Sequence, residues 1–260
     1  MKTALVTGAS SGIGYELAIC HAKQGGDLVV TARSVHQLNM LKSTVESKYG
    51  VKCAVIPSDL TVENAAKKLM DEIDEHNIEI DYLINNAGVG MNGSFEDGDI
   101  AAMQQMVQLN ITALMDLCYY FVREKRKKNA AAKILNVAST AAFQGIPYVS
   151  VYAATKAFVL SFSEGLAGEL KKTDITVTAL CPGPTKSNFG MNANVDEKMA
   201  NFPLLPSAEK VAKYGYSQML KGELTAIHGA ANKVGVLSTK LSRSAVGNIA
   251  GGIFKLSQKQ

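Results

Sequence analysis

The stretch STAAFQGIPYVSVYAATK, residues 139–156, contains three residues whose types and spacing could move a proton: Ser139, Tyr152 and Lys156. Tyr152 and Lys156 stand four apart, so on a helix they share one face. A hydride arriving on a carbonyl carbon leaves an alkoxide, which needs a proton and a donor to hold its charge. A phenol can give that proton, but its free pKa of ~10 hinders the reverse reaction near neutrality. A neighbouring ammonium stabilises the phenolate, and Lys156 is spaced to provide one. Ser139 follows an apolar run and can donate to the same carbonyl oxygen. Singly, each has a plainer reading: a core tyrosine, a solvated lysine, a capping serine. Their joint spacing points to chemistry.

A second motif supplies a reason for a hydride. TGASSGIG, residues 7–14, lies between an apolar strand pattern and an amphipathic helix pattern. Glycine at 8, 12 and 14 permits a tight turn and close backbone approach to a phosphate. The helix start adds free N–H groups and the positive end of its dipole. Gly8, Ser10, Ser11, Gly12, Ile13 and Gly14 therefore form a candidate pyrophosphate cradle. About 20 residues on, where an acid would hold a ribose 2′-hydroxyl, the sequence reads VVTARS, with Ala32 and Arg33. No carboxylate repels a 2′-phosphate there, and Arg33 can pair with one. This favours NADP(H) over NAD(H).

The elements that must position these groups alternate. Short β-branched runs at 2–7, 27–31, 51–57, 81–85, 133–138 and 175–180 predict strands, and 13–24, 35–48, 62–76, 103–128 and 150–171 predict helices. Strands apolar on both faces suit a parallel sheet covered on both sides. The order predicts an α/β, doubly wound fold: one domain over 1–260, its mostly parallel sheet flanked by helices on both faces. The pattern breaks over 182–216, where Gly, Pro, Asn and Met mix with Phe189, Phe202, Leu204 and Leu205. A lid over a ligand, about 186–216, is expected there. Residues 225–229 read as a last edge strand.

Composition excludes other classes. The chain has 260 residues, 47% hydrophobic and 19% charged, which suits a globular protein with a sizeable core. No apolar run approaches the ~18 residues of a membrane helix. The start is too short in apolar length for a signal peptide, so a cytoplasmic location is expected. Cys20, Cys53, Cys118 and Cys181 are far apart and read as buried free thiols; no metal site is expected. The net charge is +4, but residues 224–260 hold Lys233, Lys240, Arg243, Lys255 and Lys259 without an acid, so this extension carries +5 and the rest −1. A nucleic-acid binder is not indicated. Val234, Leu237 and Leu241, then Val246, Ile249, Ile253 and Leu256, predict two amphipathic helices in the basic extension, about 230–260, with Gly247, Gly251 and Gly252 weakening the second. They cover the body or a subunit interface, or they meet an anionic membrane or acidic carrier.

TGASSGIG at 7–14, DL at 59–60, NNAG at 85–88, Asn110, Ser139, YAATK at 152–156 and PGPT at 182–185 together resemble the short-chain dehydrogenase/reductase family over nearly the full length. The chain is similar to its bacterial broad-specificity reductases, hydroxysteroid dehydrogenases and 3-ketoacyl reductases. The resemblance implies a Rossmann-type domain with further roles. Asp59 and Leu60 would flank the adenine, and Asn86, Ala87 and Gly88 would line the cofactor. Asn110 would hold a water linking Lys156 to solvent. Tyr152 and Lys156 would also contact the cofactor, Lys156 through the nicotinamide ribose. Pro182, Gly183 and Thr185 would meet the nicotinamide and its phosphate. The chain departs from many NADP-preferring members in having Ser10 and Ser11, not Lys or Arg, inside the glycine loop.

The expected function is hydride transfer between NADP(H) and a ketone or secondary alcohol. Phe143, Tyr148, Met191, Phe202 and Leu205 suggest an apolar carbonyl: steroid-like, 3-ketoacyl or aromatic. The alternative is a non-catalytic NADP(H)-binding redox sensor or partner-binding protein. The family resemblance also implies a homodimer or homotetramer, formed through the helices at 103–128 and 150–171.

Overall fold

The computed structural model describes residues 2–186 and 202–256. Its elements run β1 (Thr3–Thr7), α1 (Gly12–Lys23), β2 (Asp27–Thr31), α2 (Val35–Tyr49), β3 (Cys53–Val55), α3 (Ala65–Glu75), β4 (Tyr82–Asn85), α4 (Ile100–Val107), α5 (Leu114–Lys127), β5 (Ala132–Val137), α6 (Ser150–Glu169), β6 (Ile175–Cys181), α7 (Ala208–Lys221), β7 (Thr225–Ile227), α8 (Ala230–Ser238) and α9 (Arg243–Leu256).

The strands form one sheet in the order β3-β2-β1-β4-β5-β6-β7. Every pairing is parallel. Adjacent residues within a strand serve opposite cores, because side chains alternate. Leu5, Val29, Leu83 and Ile134 face a core shared with Leu69, Phe121 and Val159. Val6, Val30, Ile84 and Leu135 face the other, with Leu17, Leu41 and Met219. Two covered faces explain why the strands read as continuous apolar runs. The strand order reverses between β1 and β4, the place where open α/β sheets leave a crevice at their carboxyl ends.

Three expectations need correction. The long helix expected over 103–128 is interrupted by a π-helical turn, Gln108–Ala113, between α4 and α5. The third helix begins at Ala65, not residue 62, because Asn64 adopts a left-handed backbone with φ 59°. The irregular segment ends sooner than 216. α7 starts at Ala208, where the Ser207 side chain accepts a hydrogen bond from the Lys210 N–H, and Val211, Ala212, Gly215 and Tyr216 are buried. Ser207 is thus a helix cap that the surrounding Pro and Phe residues disguised. Phe189 and Met191 lie outside the described residues.

A buried histidine ties α1 to α7. The His21 ring makes a 3.0 Å bond through Nε2 to the Lys2 carbonyl and a 2.8 Å bond through Nδ1 to the Tyr216 hydroxyl. The carbonyl can only accept, so Nε2 carries the proton and Nδ1 accepts from Tyr216. Gly26 is needed beside it, since a Cβ there would overlap the imidazole. Burial pushes His21 below its usual value. Below pH ~6.5 the unfolded chain binds a proton that the folded chain refuses, so this stability is present above that pH and lost as pH falls. Urea unfolding from pH 7 to 5 is expected to lose up to about 1.4 kcal/mol per pH unit from this group. His21→Gln is expected to flatten that slope; an unchanged slope would show that His21 is not its source.

Candidate active site

The glycine loop joins β1 to α1 in a left-handed path, with φ 64° at Gly8 and 58° at Gly12. A Cβ on Gly8 would lie 2.8 Å from the Asn86 amide nitrogen and 2.9 Å from the Ala87 Cα. On Gly14 it would overlap the Asn86 side chain and the Gly8 carbonyl. The Asn86 side chain donates to the carbonyls of Thr7 and Gly8, at 3.0 and 3.2 Å. The Thr7 hydroxyl in turn accepts from the backbone N–H groups of Asn86 and Ala87. The β1 and β4 loops are therefore one locked unit. Ser11 precedes α1 with no side-chain capping bond, and the first turn carries no acid. A phosphate fits this helix start: its N–H groups are free of a capping side chain and its dipole favours an anion.

At the ribose end Arg33 is exposed, and the exposed Asp59 lies close enough to feel its charge. Burial alone would raise Asp59, but two hydrogen bonds from Thr61 and the Arg33 charge outweigh it and hold the carboxyl below its usual value. The Leu60 side chain is buried in the core. On the other side, the Thr140 N–H donates to the Pro182 carbonyl at 2.8 Å, tying the PGPT loop to the end of β5. Thr185 donates to the Gly183 carbonyl at 2.9 Å. Gly183 admits Asn232 of α8 where a Cβ would stand.

The three residues expected from their spacing to move a proton, Ser139, Tyr152 and Lys156, meet at the carboxyl end of β5. The Ser139 Oγ accepts from the Ala141 N–H at 3.1 Å, reaches the Pro182 carbonyl at 3.5 Å and lies close enough to the Tyr152 phenol to lower its pKa. Lys156 is only 4% exposed; its Nζ donates to the Val137 carbonyl at 2.8 Å and stands 5.9 Å from the Tyr152 ring centroid. Asn110, 1% exposed, sits within the π turn. Its carboxamide bonds both the N–H and the carbonyl of Val89 and donates to the Thr155 hydroxyl at 3.0 Å. The extra residue of a π turn changes the helix phase, and here Asn110 links the β4 loop to α6. Gly88 completes the contact: a Cβ there would lie 3.1 Å from the Asn110 Oδ1 and 3.4 Å from Lys156 Nζ.

The pKa balance differs from the one argued from spacing. Burial pushes the Tyr152 phenol up to about 12, and the Ser139 hydrogen bond is the group that pulls it down. Burial pushes Lys156 down to about 8. The Lys156 amine is directed to the Val137 carbonyl at 2.8 Å. The four cysteines are buried, and burial raises each thiol, Cys20 to about 11 and the others to about 12. Among the described residues no three His, Cys, Asp or Glu side chains gather to hold a metal.

The segment between Ser139 and Tyr152 leans on the C-terminal helix. Phe254 and Ala250 of α9 pack with Ile146, Val149, Ala153 and Tyr152. Asn92 donates to the Phe254 carbonyl at 3.3 Å and Arg243 to the Phe143 carbonyl at 3.1 Å. A Cβ on Gly247 would overlap the Gly145 carbonyl, and on Gly251 would lie 2.7 Å from Pro147. These two glycines, four apart, are therefore the docking face of α9, not weak points. Next to them Tyr148 holds a left-handed φ of 68°, uncommon for an aromatic residue, with its carbonyl accepting from Gly93 and its ring 6.0 Å from Lys255 Nζ. Phe143, expected in a substrate pocket, packs against the main core. The sequence reading missed Thr7, Thr155 and Asn232, and it took Gly247 and Gly251 as weak points of the helix.

The family model described as short chain dehydrogenase matches residues 2–198. The 11-beta-hydroxysteroid dehydrogenase-like 3 protein of Arabidopsis thaliana is 33% identical over 223 residues, 85% of this chain and 71% of that protein. A solved short-chain dehydrogenase from Sphingobium yanoikuyae in complex with NADPH is 29% identical with a TM-score of 0.82, covering 94% of this chain and 96% of that one. The bulky-bulky ketone specific alcohol dehydrogenase from Comamonas testosteroni is 29% identical with a TM-score of 0.78, covering 94% of each chain. This chain belongs to the short-chain dehydrogenase/reductase family. It is an oxidoreductase of carbonyl and alcohol groups built on a nicotinamide-binding fold, and the non-catalytic alternative finds no support.

Gly251→Leu is expected to wedge α9 off Pro147 and shift the loop that leads to Tyr152. The turnover number should fall at least about tenfold, while cofactor binding stays within about twofold because the cradle is untouched. Unchanged turnover would show that α9 does not set the loop.

Proposed function

We propose that this chain is an NADP(H)-dependent reductase of bulky apolar ketones, acting on the matching secondary alcohols in reverse. The observation that carries it is the half-buried Tyr152, whose phenol feels Ser139 and has Lys156 beside its ring. The nicotinamide, when bound, supplies the hydride in reduction and takes it in oxidation. Ser139 orients the carbonyl oxygen by donating to it. Tyr152 then gives its proton to the developing alkoxide. A phenol raised to about 12 stays protonated across the neutral range, as the proton donor of the reductive step must be. Lys156, as its ammonium, stabilises the phenolate left behind and returns a proton to it. Asn110, joined to Val89 and Thr155, holds the end of a relay from Lys156 to solvent. Ser10, Ser11, Ile13 and the glycines hold the pyrophosphate. Ala87, Gly88, Pro182, Gly183 and Thr185 line the nicotinamide end, and Asp59 with the Leu60 backbone flanks the adenine.

Arg33 reads the 2′-phosphate, with Ser10 as a hydrogen-bonding partner. The absence of an acid at Ala32 and Arg33 supports NADP(H), as does the NADPH in the Sphingobium protein. A pocket of about 260 Å³ beside the start of α6 carries Met91, Phe95, Met103, Met106, Tyr148 and Val149 together with Asn92, Ser94, Asp97 and Asp99, and its apolar wall supports an apolar substrate. So do the names of the hydroxysteroid dehydrogenase-like and bulky-ketone relatives. The segment after β6 leaves at Lys186 and returns beside it at Ser207, with Phe202 and Leu204 exposed near its end. Those tied ends support a lid over the substrate. Val107, Met115 and Tyr119 are exposed around α4 and α5, which supports a homo-oligomer. Four unpaired thiols support a reducing, cytoplasmic setting.

The test is NADPH consumption with a panel of steroid, aromatic and 3-ketoacyl ketones against small polar carbonyls. Turnover confined to the bulky set is expected; none on any of them would sink the reading. Arg33→Asp should lower the NADPH-to-NADH preference at least about tenfold, the scale of one charge-assisted hydrogen bond. An unchanged ratio would remove Arg33 from phosphate recognition.

A further inference from the structure

The two C-terminal helices separate their faces. The inner face of α9, with Gly247, Ala250, Gly251 and Phe254, rests on the active-site loop. Four apolar residues of the outer face are exposed. Val234 is 67% exposed, Leu237 61%, Leu241 90% and Ile249 71%. Polar residues at these positions would leave the inner contacts intact, so folding does not require the outer ones to be apolar. Lys233, Lys240, Arg243 and Lys255 are interleaved with them and exposed. No carboxylate side chain occurs from residue 224 to the end of the sequence.

We propose that the outer face of α8 and α9 docks on an anionic lipid surface, with Val234, Leu237, Leu241 and Ile249 entering the headgroup boundary and Lys233 and Lys240 meeting lipid anions. Charge complementarity selects this occupant: a run of basic residues without an acid is attracted to a negative bilayer face. The apolar residues lie singly along two short helices and the turn between them. They make a shallow stripe, which a fluid interface accommodates without a matching pocket. A second copy of the chain fits less well, since a two-fold contact through this face would set Lys233 and Lys240 against their counterparts. No helix among the described residues is long and apolar enough to cross a membrane, so the contact is peripheral.

The experiment uses the full chain and vesicles of phosphatidylcholine with phosphatidylserine, against phosphatidylcholine alone, read by flotation. Binding to the serine-containing vesicles at low salt and release at high salt is expected. The paired change Lys233→Glu with Lys240→Glu should weaken the partition at least about tenfold. Leu237→Asp with Leu241→Asp should abolish it. Both variants should melt like the parent and keep its ketone reductase rate in vesicle-free buffer. Vesicle binding is read without substrate, so its failure and the failure of the proposed reaction are separate results. Equal binding to both vesicle types, no binding at low salt, or full binding by either variant would overturn the proposal. So would a smaller oligomer on size exclusion for the leucine variant without vesicle binding by the parent, which would assign the face to a second copy.

Discussion

In the proposed reaction a lysine amine has to remain available as a cation where almost no water reaches it. Lys156 is 4% exposed, and burial drives its pKa down to about 8. An unpartnered buried ammonium is costly, so the fold gives it the Val137 carbonyl at 2.8 Å. That carbonyl is free because β5 ends there, at the carboxyl edge of the sheet. The placement of Tyr152 one turn earlier, of Ser139 two residues past Val137 and of Gly88 against the amine follows from this one point. Crowding around it also explains the π turn, which carries Asn110 to Val89 and Thr155 without breaking the path from α4 to α5.

The cofactor end obeys a related constraint. Two loops, one after β1 and one after β4, must approach closely enough for Asn86 to bond the carbonyls of Thr7 and Gly8. Any side chain at Gly8 or Gly14 would enter the space that Asn86 occupies. The glycines are thus required by the protein's own packing as well as by a phosphate. The tail adds a third support. Gly247 and Gly251 let α9 lie against Gly145 and Pro147, and Asn232 of α8 fills the space beside Gly183. Both chemical loops of the site are braced by the last two helices of the chain.

Much of this was legible in the sequence, for physical reasons that differ by residue. Strands with both faces buried read as continuous apolar runs, so the parallel sheet could be inferred from Leu5, Val6, Val29 and Val30. Tyr152 and Lys156 were legible because one helical turn is a fixed spacing. Ser139 stood out through its position after β5. The π turn was hidden, since its cause is a set of contacts from Asn110 to residues 21 and 45 positions away. α7 was hidden because its buried face is small and mixed, with Gly215 and Tyr216 on it. The glycines of α9 were misjudged by propensity: their role lies in what they touch. The shift of Tyr152 upward was not foreseeable from spacing, because it depends on burial.

The account rests on Tyr152 as the proton donor, and Tyr152→Phe tests that most directly. The variant keeps the ring against Ala153, Val149 and Phe254 and loses only the hydroxyl. With a ketone that the parent reduces, turnover should fall at least about a thousandfold, within the range that general acid catalysis contributes. NADPH binding, read by fluorescence titration, should stay within about twofold. A variant that binds NADPH and retains most of the parent's rate would contradict the account.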